Sequence, residues 1–145
     1  MQIKDPNLHL KLQEMCDCYL DTGFAEQLAW MATGPSEDQE EDAVKYLALA
    51  IMYGITEKAR SLKLKRGEDG TIKASLKAEE KVTLPAPSPA IFDRINDIVR
   101  RILHFEEGGG ESPLALGLRT GSIDLEVKLK DKGGKSSLKI SFPAW

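Results

Sequence analysis

The feature that most restricts the fold is a strict alternation of apolar and polar residues in short runs. Leu62 and Leu64 alternate with Lys63 and Lys65, and Ile72, Ala74 and Leu76 with Lys73, Ser75 and Lys77. Further on, Ile123, Leu125, Val127 and Leu129 alternate with Asp124, Glu126 and Lys128, and Leu138 and Ile140 flank Lys139. A period of two sends successive side chains to opposite sides of a strand, so each run has one apolar and one charged face. Gly67-Glu68-Asp69-Gly70 separates the first two runs and Asp131-Lys132-Gly133-Gly134 the last two. Glycines accept positive φ, so both junctions read as hairpin turns. Short strands are also expected around Val82 to Leu84 and at Leu114, Leu116 and Leu118.

Elsewhere the period is helical. Asp5-Pro6 pairs an oxygen acceptor at a cap with the fixed φ of a first helical residue, and Leu8, Leu12, Met15 and Tyr19 follow on one face. Asp21-Thr22-Gly23 breaks that helix, and Ala25 to Met31 reads as a short second one carrying Trp30. Ser36 with Gln39 has the spacing of a capping box, and Glu37, Asp38, Glu40, Glu41 and Asp42 crowd a first turn where the macrodipole favours anions. Val44, Leu47, Ala48, Ile51 and Ile55 form a stripe that Leu49, Ala50 and Met52 widen, so this helix is expected to be covered on several sides. Pro85, Pro87 and Pro89 enforce an extended connection, and Ser88-Pro89 repeats the helix-start signature. The next helix sets Ile91, Ile95, Ile98 and Ile102 against Asp93, Arg94, Asp97, Arg100 and Arg101, and Gly108-Gly109-Gly110 reads as its stop.

Hairpins without repeated crossover units predict an α+β fold: N-terminal helices, then a mixed or antiparallel sheet built from hairpins and covered on one face by two long helices. A boundary near residue 35 divides a helical extension, 1–35, from an α+β domain, 36–145. The 145 residues suffice for a core without staples. No apolar run approaches the roughly 20 residues of a membrane span, so no membrane insertion is expected. Met1 to Pro6 lacks a basic start leading into an apolar stretch, which predicts no cleaved secretory signal and a cytoplasmic location. Twenty basic and 23 acidic side chains leave a net charge of −3, which argues against attraction of nucleic acid by the whole surface.

Signatures of chemistry are sparse. The chain has no phosphate-loop pattern, no Gly-x-Gly-x-x-Gly fingerprint, no His-Glu-x-x-His and no Gly-x-Ser-x-Gly. The glycine run at 108–110 follows a helix C-terminus, where the dipole repels anions, so it does not read as a phosphate cradle. Cys16 and Cys18 diverge by about 200° on a helix and cannot share a metal or a disulfide there. His9 and His104 have no nucleophile or carboxylate at a local spacing that defines a triad. No catalytic, cofactor or metal residue is therefore nominated.

The wet face of the strands is less ordinary. If the apolar residues point inward, then Lys63, Lys65, Lys73, Lys77, Lys128, Lys130 and Lys139 point outward, relieved only by Asp124 and Glu126. Such a face attracts an acidic partner or a phosphate compound. Arg94 and Arg119 are candidates to line a cleft for the same ligand, and Trp30 for a partner or dimer interface. Lysines on an exposed sheet also suppress edge pairing and aggregation, a structural reason sufficient by itself. Aromatic side chains are not interleaved with them, which disfavours a single-stranded nucleic-acid platform.

The order of elements and their connecting residues resembles the second N-terminal domain of the hexameric type II secretion and type IV pilus assembly ATPases. Val44, Leu47 and Ile51 lead into Ala59-Arg60-Ser61-Leu62-Lys63-Leu64-Lys65-Arg66, as that family's helix leads into A-S-D-I-H-I-E-P. Lys73 to Lys77 and Val82-Thr83-Leu84-Pro85-Ala86-Pro87 are similar to its next strand and proline loop, Phe92-Asp93-Arg94-Ile95-Asn96 to I-S-R-I-K, and Ile123-Asp124-Leu125-Glu126-Val127 with Ser137-Leu138-Lys139-Ile140 to its closing hairpin. The family's R-L-P-Q-D-G-R segment falls at Gly110-Glu111-Ser112-Pro113-Leu114, which has no arginine, and Ser61 and Lys63 replace the Asp and His of A-S-D-I-H. With no phosphate loop either, the resemblance implies the scaffold without ATPase activity. The expected function is non-catalytic: an interaction or regulatory domain without a cofactor, contacting another protein or a second copy of itself, with a secretion or pilus motor as the implied assembly. The alternative is binding of a nucleotide or other phosphate compound by the lysine face.

Overall fold

The computed structural model describes residues 6–18, 38–103, 105, 109–118, 121–132 and 135–144. In chain order they form α1 (Pro6–Cys18), α2 (Gln39–Thr56), β1 (Ser61–Arg66), β2 (Ile72–Lys77), β3 (Lys81–Leu84), α3 (Pro89–Leu103), β4 (Gly109–Leu118), β5 (Gly121–Lys132) and β6 (Lys135–Ser141). The expected helix at 25–31, with Trp30, and the expected cap at Ser36 lie outside the described residues.

The six strands make one sheet in the order β3-β2-β1-β6-β5-β4, antiparallel at every junction, so the fold is α+β with an antiparallel rather than a mixed sheet. Each half is a meander of three consecutive strands. The halves join between β1 and β6, with Ser61 opposite Ser141, Leu62 opposite Ile140 and Arg66 opposite Ser136. The β1–β2 turn is closed by Gly67 N–H donating to the Thr71 carbonyl at 3.1 Å and by Asp69 Oδ1 accepting from Thr71 N–H at 3.0 Å, with Gly70 at φ 84°. Only glycine adopts that backbone without strain.

The helices start where side chains can accept their first N–H groups. Asp38 caps α2, accepting from Glu41 N–H at 3.0 Å, and Glu40, Glu41 and Asp42 fill the first turn. Ser88 caps α3 through Ile91 N–H at 3.3 Å, as the Ser88-Pro89 signature predicts. At the other end α3 stops at Leu103, ahead of the glycine run, and Gly109 and Gly110 belong to β4 instead. Gly109 sits at φ 108° with its Cα against the Leu129 carbonyl, a close approach that a Cβ would block. Gly109 and Gly110 thus serve a strand start and its tight packing.

Nearly all of α2 from Ala43 to Met52 is buried, which accounts for its apolar residues running round the whole helix. Tyr46 is 1% exposed, donates its hydroxyl to the Pro85 carbonyl at 2.7 Å, and has its phenol pushed well above the usual range by burial. Leu8, Leu12 and Cys16 of α1 belong to the same core cluster as α2, α3 and the inward residues of the sheet, among them Leu62, Leu64, Leu76, Leu116, Leu125, Val127, Leu138 and Ile140. Ion pairs fasten α3 to its surroundings: Arg66–Asp93 at 2.7 Å, Arg100–Asp131 at 2.8 Å and Arg101–Glu40 at 2.5 Å.

The two edges of the sheet differ. β3 is four residues long, whereas β4 has ten. Helix α1 meets β4 with two side chains one turn apart: His9 Nε2 donates to the Ala115 carbonyl at 2.8 Å, and Gln13 Oε1 accepts from Gly117 N–H at 2.5 Å. Together they offer the donor and acceptor that one residue of a parallel strand would offer beside Leu116.

Candidate functional site

The register of the ladder fixes how the sequence-nominated lysines meet. Lys63 on β1 lies opposite Lys139 on β6, and Lys139 opposite Lys128 on β5. One row thus crosses three adjacent strands with a lysine on each, continuing to Glu111 on β4 and, on the other side, to Ser75 on β2. The neighbouring row runs Lys73, Lys65, Ser137, Lys130. A third brings Lys81 and Lys77 beside Ser61, Ser141 and Glu126. All seven nominated lysines are exposed.

Like charges directly opposite each other destabilise a sheet pair by a few tenths of a kcal/mol or more. Beyond Lys77–Lys81 on β2 and β3 and Lys132–Lys135 at the end of the β5–β6 pair, three such pairs, Lys63–Lys139, Lys139–Lys128 and Lys65–Lys73, involve five lysines of interior strands. Among the described residues none of these five lysines is in an ion pair. Nor do they guard an edge, because β1, β2, β5 and β6 are interior strands and the edges are β3 and β4. Edge protection falls instead to Pro113 on β4, to the side chains of α1 beside that strand, and to the shortness of β3 with Lys81.

Arg94 is exposed on α3 and takes no part in these rows. Arg119 and Trp30 lie outside the described residues. Two open depressions occur elsewhere, one of about 390 Å³ lined by Ile55, Leu118, Ser122, Ile123, Asp124 and Pro143 among others, the second of about 530 Å³ lined by Lys58, Arg60, Phe142, Pro143 and Ala144. Neither includes a lysine of the rows. Among the described residues no three His, Cys, Asp or Glu side chains converge as metal ligands, and no helix is long and apolar enough to cross a membrane.

A polar cluster that sequence reasoning missed lies where α3 crosses the ends of β1, β5 and β6. Arg66 bonds Asp93 and stacks over Phe92 with its guanidinium carbon 5.3 Å from the ring centre. Asp131 accepts from Arg100 at 2.8 Å and from Ser136 Oγ at 3.0 Å, and these bonds, Ser136 first, hold its carboxyl below the usual range. Asn96, on the helix face it shares with Asp93 and Arg100, is 3% exposed, and its Oδ1 accepts no hydrogen bond. The only signal in the sequence is an asparagine flanked by Ile95 and Ile98 on an apolar stripe.

Comparison with known proteins finds no family model and no curated protein that matches the chain.

Proposed function

We propose that this chain is a non-catalytic interaction domain whose contact surface is the lysine-bearing face of its sheet, with α2 and α3 layered behind as its support. The observation that carries this reading is the Lys63–Lys139–Lys128 row: three cations side by side on interior strands, where neither edge protection nor internal pairing uses them. An arrangement that costs stability in isolation becomes favourable when an anionic surface covers it. The resemblance to an accessory domain of secretion and pilus motors supports a role in docking on such an assembly, in the cytoplasm.

A photo-crosslinking residue placed at Ser137, between Lys65 and Lys130, tests the reading in cells. A discrete protein adduct that is absent when the crosslinker sits at Glu57, on the helix layer, is expected. A chain that stays monomeric across concentrations and forms no adduct at Ser137 overturns it.

A second reading, a phosphate compound on the same face, rests on the same row. A nucleotide or other phosphate at about 100 times its dissociation constant raises stability by roughly 2.7 kcal/mol, so a thermal-shift panel decides it, and an unchanged midpoint across the panel removes it.

A further inference from the structure

The charge of the open face is bounded on the β4 side, and that boundary limits what the face can hold. From Lys73 on β2 to Lys130 and Lys128 on β5 the basic rows cross four adjacent strands and are two residues deep, about 14 Å by about 7 Å at ordinary strand spacing. Toward β4, and along β5 past Lys128, the sign reverses, whereas Lys77 and Lys81 continue the positive charge toward β3. Glu111 ends the Lys63–Lys139–Lys128 row on β4, and Glu126 and Asp124 follow Lys128 on β5, all three exposed and on the same side of the sheet. A long polyanion running on toward β4 meets these carboxylates. Among the described residues the face offers lysines without an arginine fork or an aromatic platform, so these lysine rows themselves supply neither bidentate phosphate recognition nor base stacking. Neither of the two depressions described above is lined by these lysines.

Resting on the interaction reading above, we infer that the partner is a protein presenting a short acidic segment, with about three or four carboxylates over the lysine rows and a basic residue beside them at the corner formed by Glu111, Asp124 and Glu126. Charge complementarity defines both the ligand and its orientation. The acidic stretch lies toward β2 and β1, and the basic flank toward β4.

The test uses fluorescence anisotropy on the full chain with two labelled peptides of identical composition. In one, four glutamates are followed by two lysines in separate blocks; in the other the same residues are interspersed. Inorganic tripolyphosphate and a twelve-nucleotide oligothymidylate serve as the phosphate and nucleic-acid probes. The blocked peptide is expected to bind about tenfold more tightly than the interspersed one, and to weaken as salt shortens the Debye length. Lys63→Gln with Lys139→Gln should remove most of that binding, while Lys45→Gln on α2, the same kind of change off the face, should leave it within about twofold. Asp124→Lys with Glu126→Lys should erase the preference for the blocked order. Circular dichroism and thermal midpoints confirm that each variant is folded, and the peptide comparison on the unaltered chain needs no variant. Equal binding of the two peptides, tighter binding of tripolyphosphate or oligothymidylate, or no binding of any probe each overturns the inference. A protein adduct at Ser137 together with failure of the blocked peptide would leave the interaction reading standing and this one fallen.

Discussion

The ring of Phe142, just beyond β6, fills the space that a Cβ on Gly54 of α2 would need. The glycine is tolerated inside a buried helix because it lets an aromatic side chain press against the helix backbone. Gly54→Ala therefore overpacks this contact and should destabilise the chain by about 1–3 kcal/mol, despite alanine's better helix propensity. Adding Phe142→Leu to the same chain should recover part of that loss. Urea unfolding of the two single variants and the double variant measures the coupling, and simple additivity would show that the ring is not the obstacle.

Lys139 stands between Lys63 and Lys128, so an acid there turns two repulsions into two attractions. Lys139→Glu is expected to raise stability by about 0.5–1 kcal/mol at low ionic strength, with the gain shrinking in high salt. Thermal unfolding at two salt concentrations reads both the gain and its screening. A drop in midpoint at low salt would mean that the lysines do not repel one another.

Asn96 hides an acceptor without a donor. Replacing it with leucine, which has the same branching but more bulk, removes the desolvation cost of an unmatched amide, and Asn96→Leu should stabilise by about 1 kcal/mol where the site accommodates the added volume. Chemical denaturation checks this, and a loss of stability would show that the amide makes a compensating bond to water.

Asp131 carries the pH dependence that its bonds to Ser136 and Arg100 imply. Because its folded-state pKa is depressed, its contribution is fully present above the unfolded carboxylate value of about 3.9 and is lost as pH falls through the folded value. Asp131→Asn should therefore lower stability slightly at pH 7 and narrow the difference between pH 7 and pH 3. Urea midpoints at the two pH values provide the comparison, and an unchanged difference would refute the assignment.

What the sequence made legible was local. Alternation identified the strands because one face is buried and the other wet, glycine turns identified the β1–β2 hairpin, and Ser88-Pro89 marked the start of α3 because capping involves residues three apart. The junction of the two halves was not legible. Leu62 and Ile140 become neighbours through a sheet in which every alternating strand presents a similar pattern, so nothing local selects that pairing. For the same reason the lysines could be assigned to one face but not to interior strands, and it is the row of Lys63, Lys139 and Lys128 that gives the face its character. Pro113 obscured the length of β4, since proline weakens a strand reading except at an edge, where it is found. The place of α1 depended on Leu8, Leu12 and Cys16 finding the common core, and on Gln13 reaching a backbone group 104 residues away.

That reach has a consequence for the sheet edge it covers. Two side chains of α1 imitate one residue of a seventh strand that the described residues do not include, and they do so toward the C-terminal end of the longer edge strand of the sheet. Were α1 to peel away, the bare border would be a template for another copy, and each copy added would carry the same bare border onward. The first helix is thus also a stopper against open-ended growth.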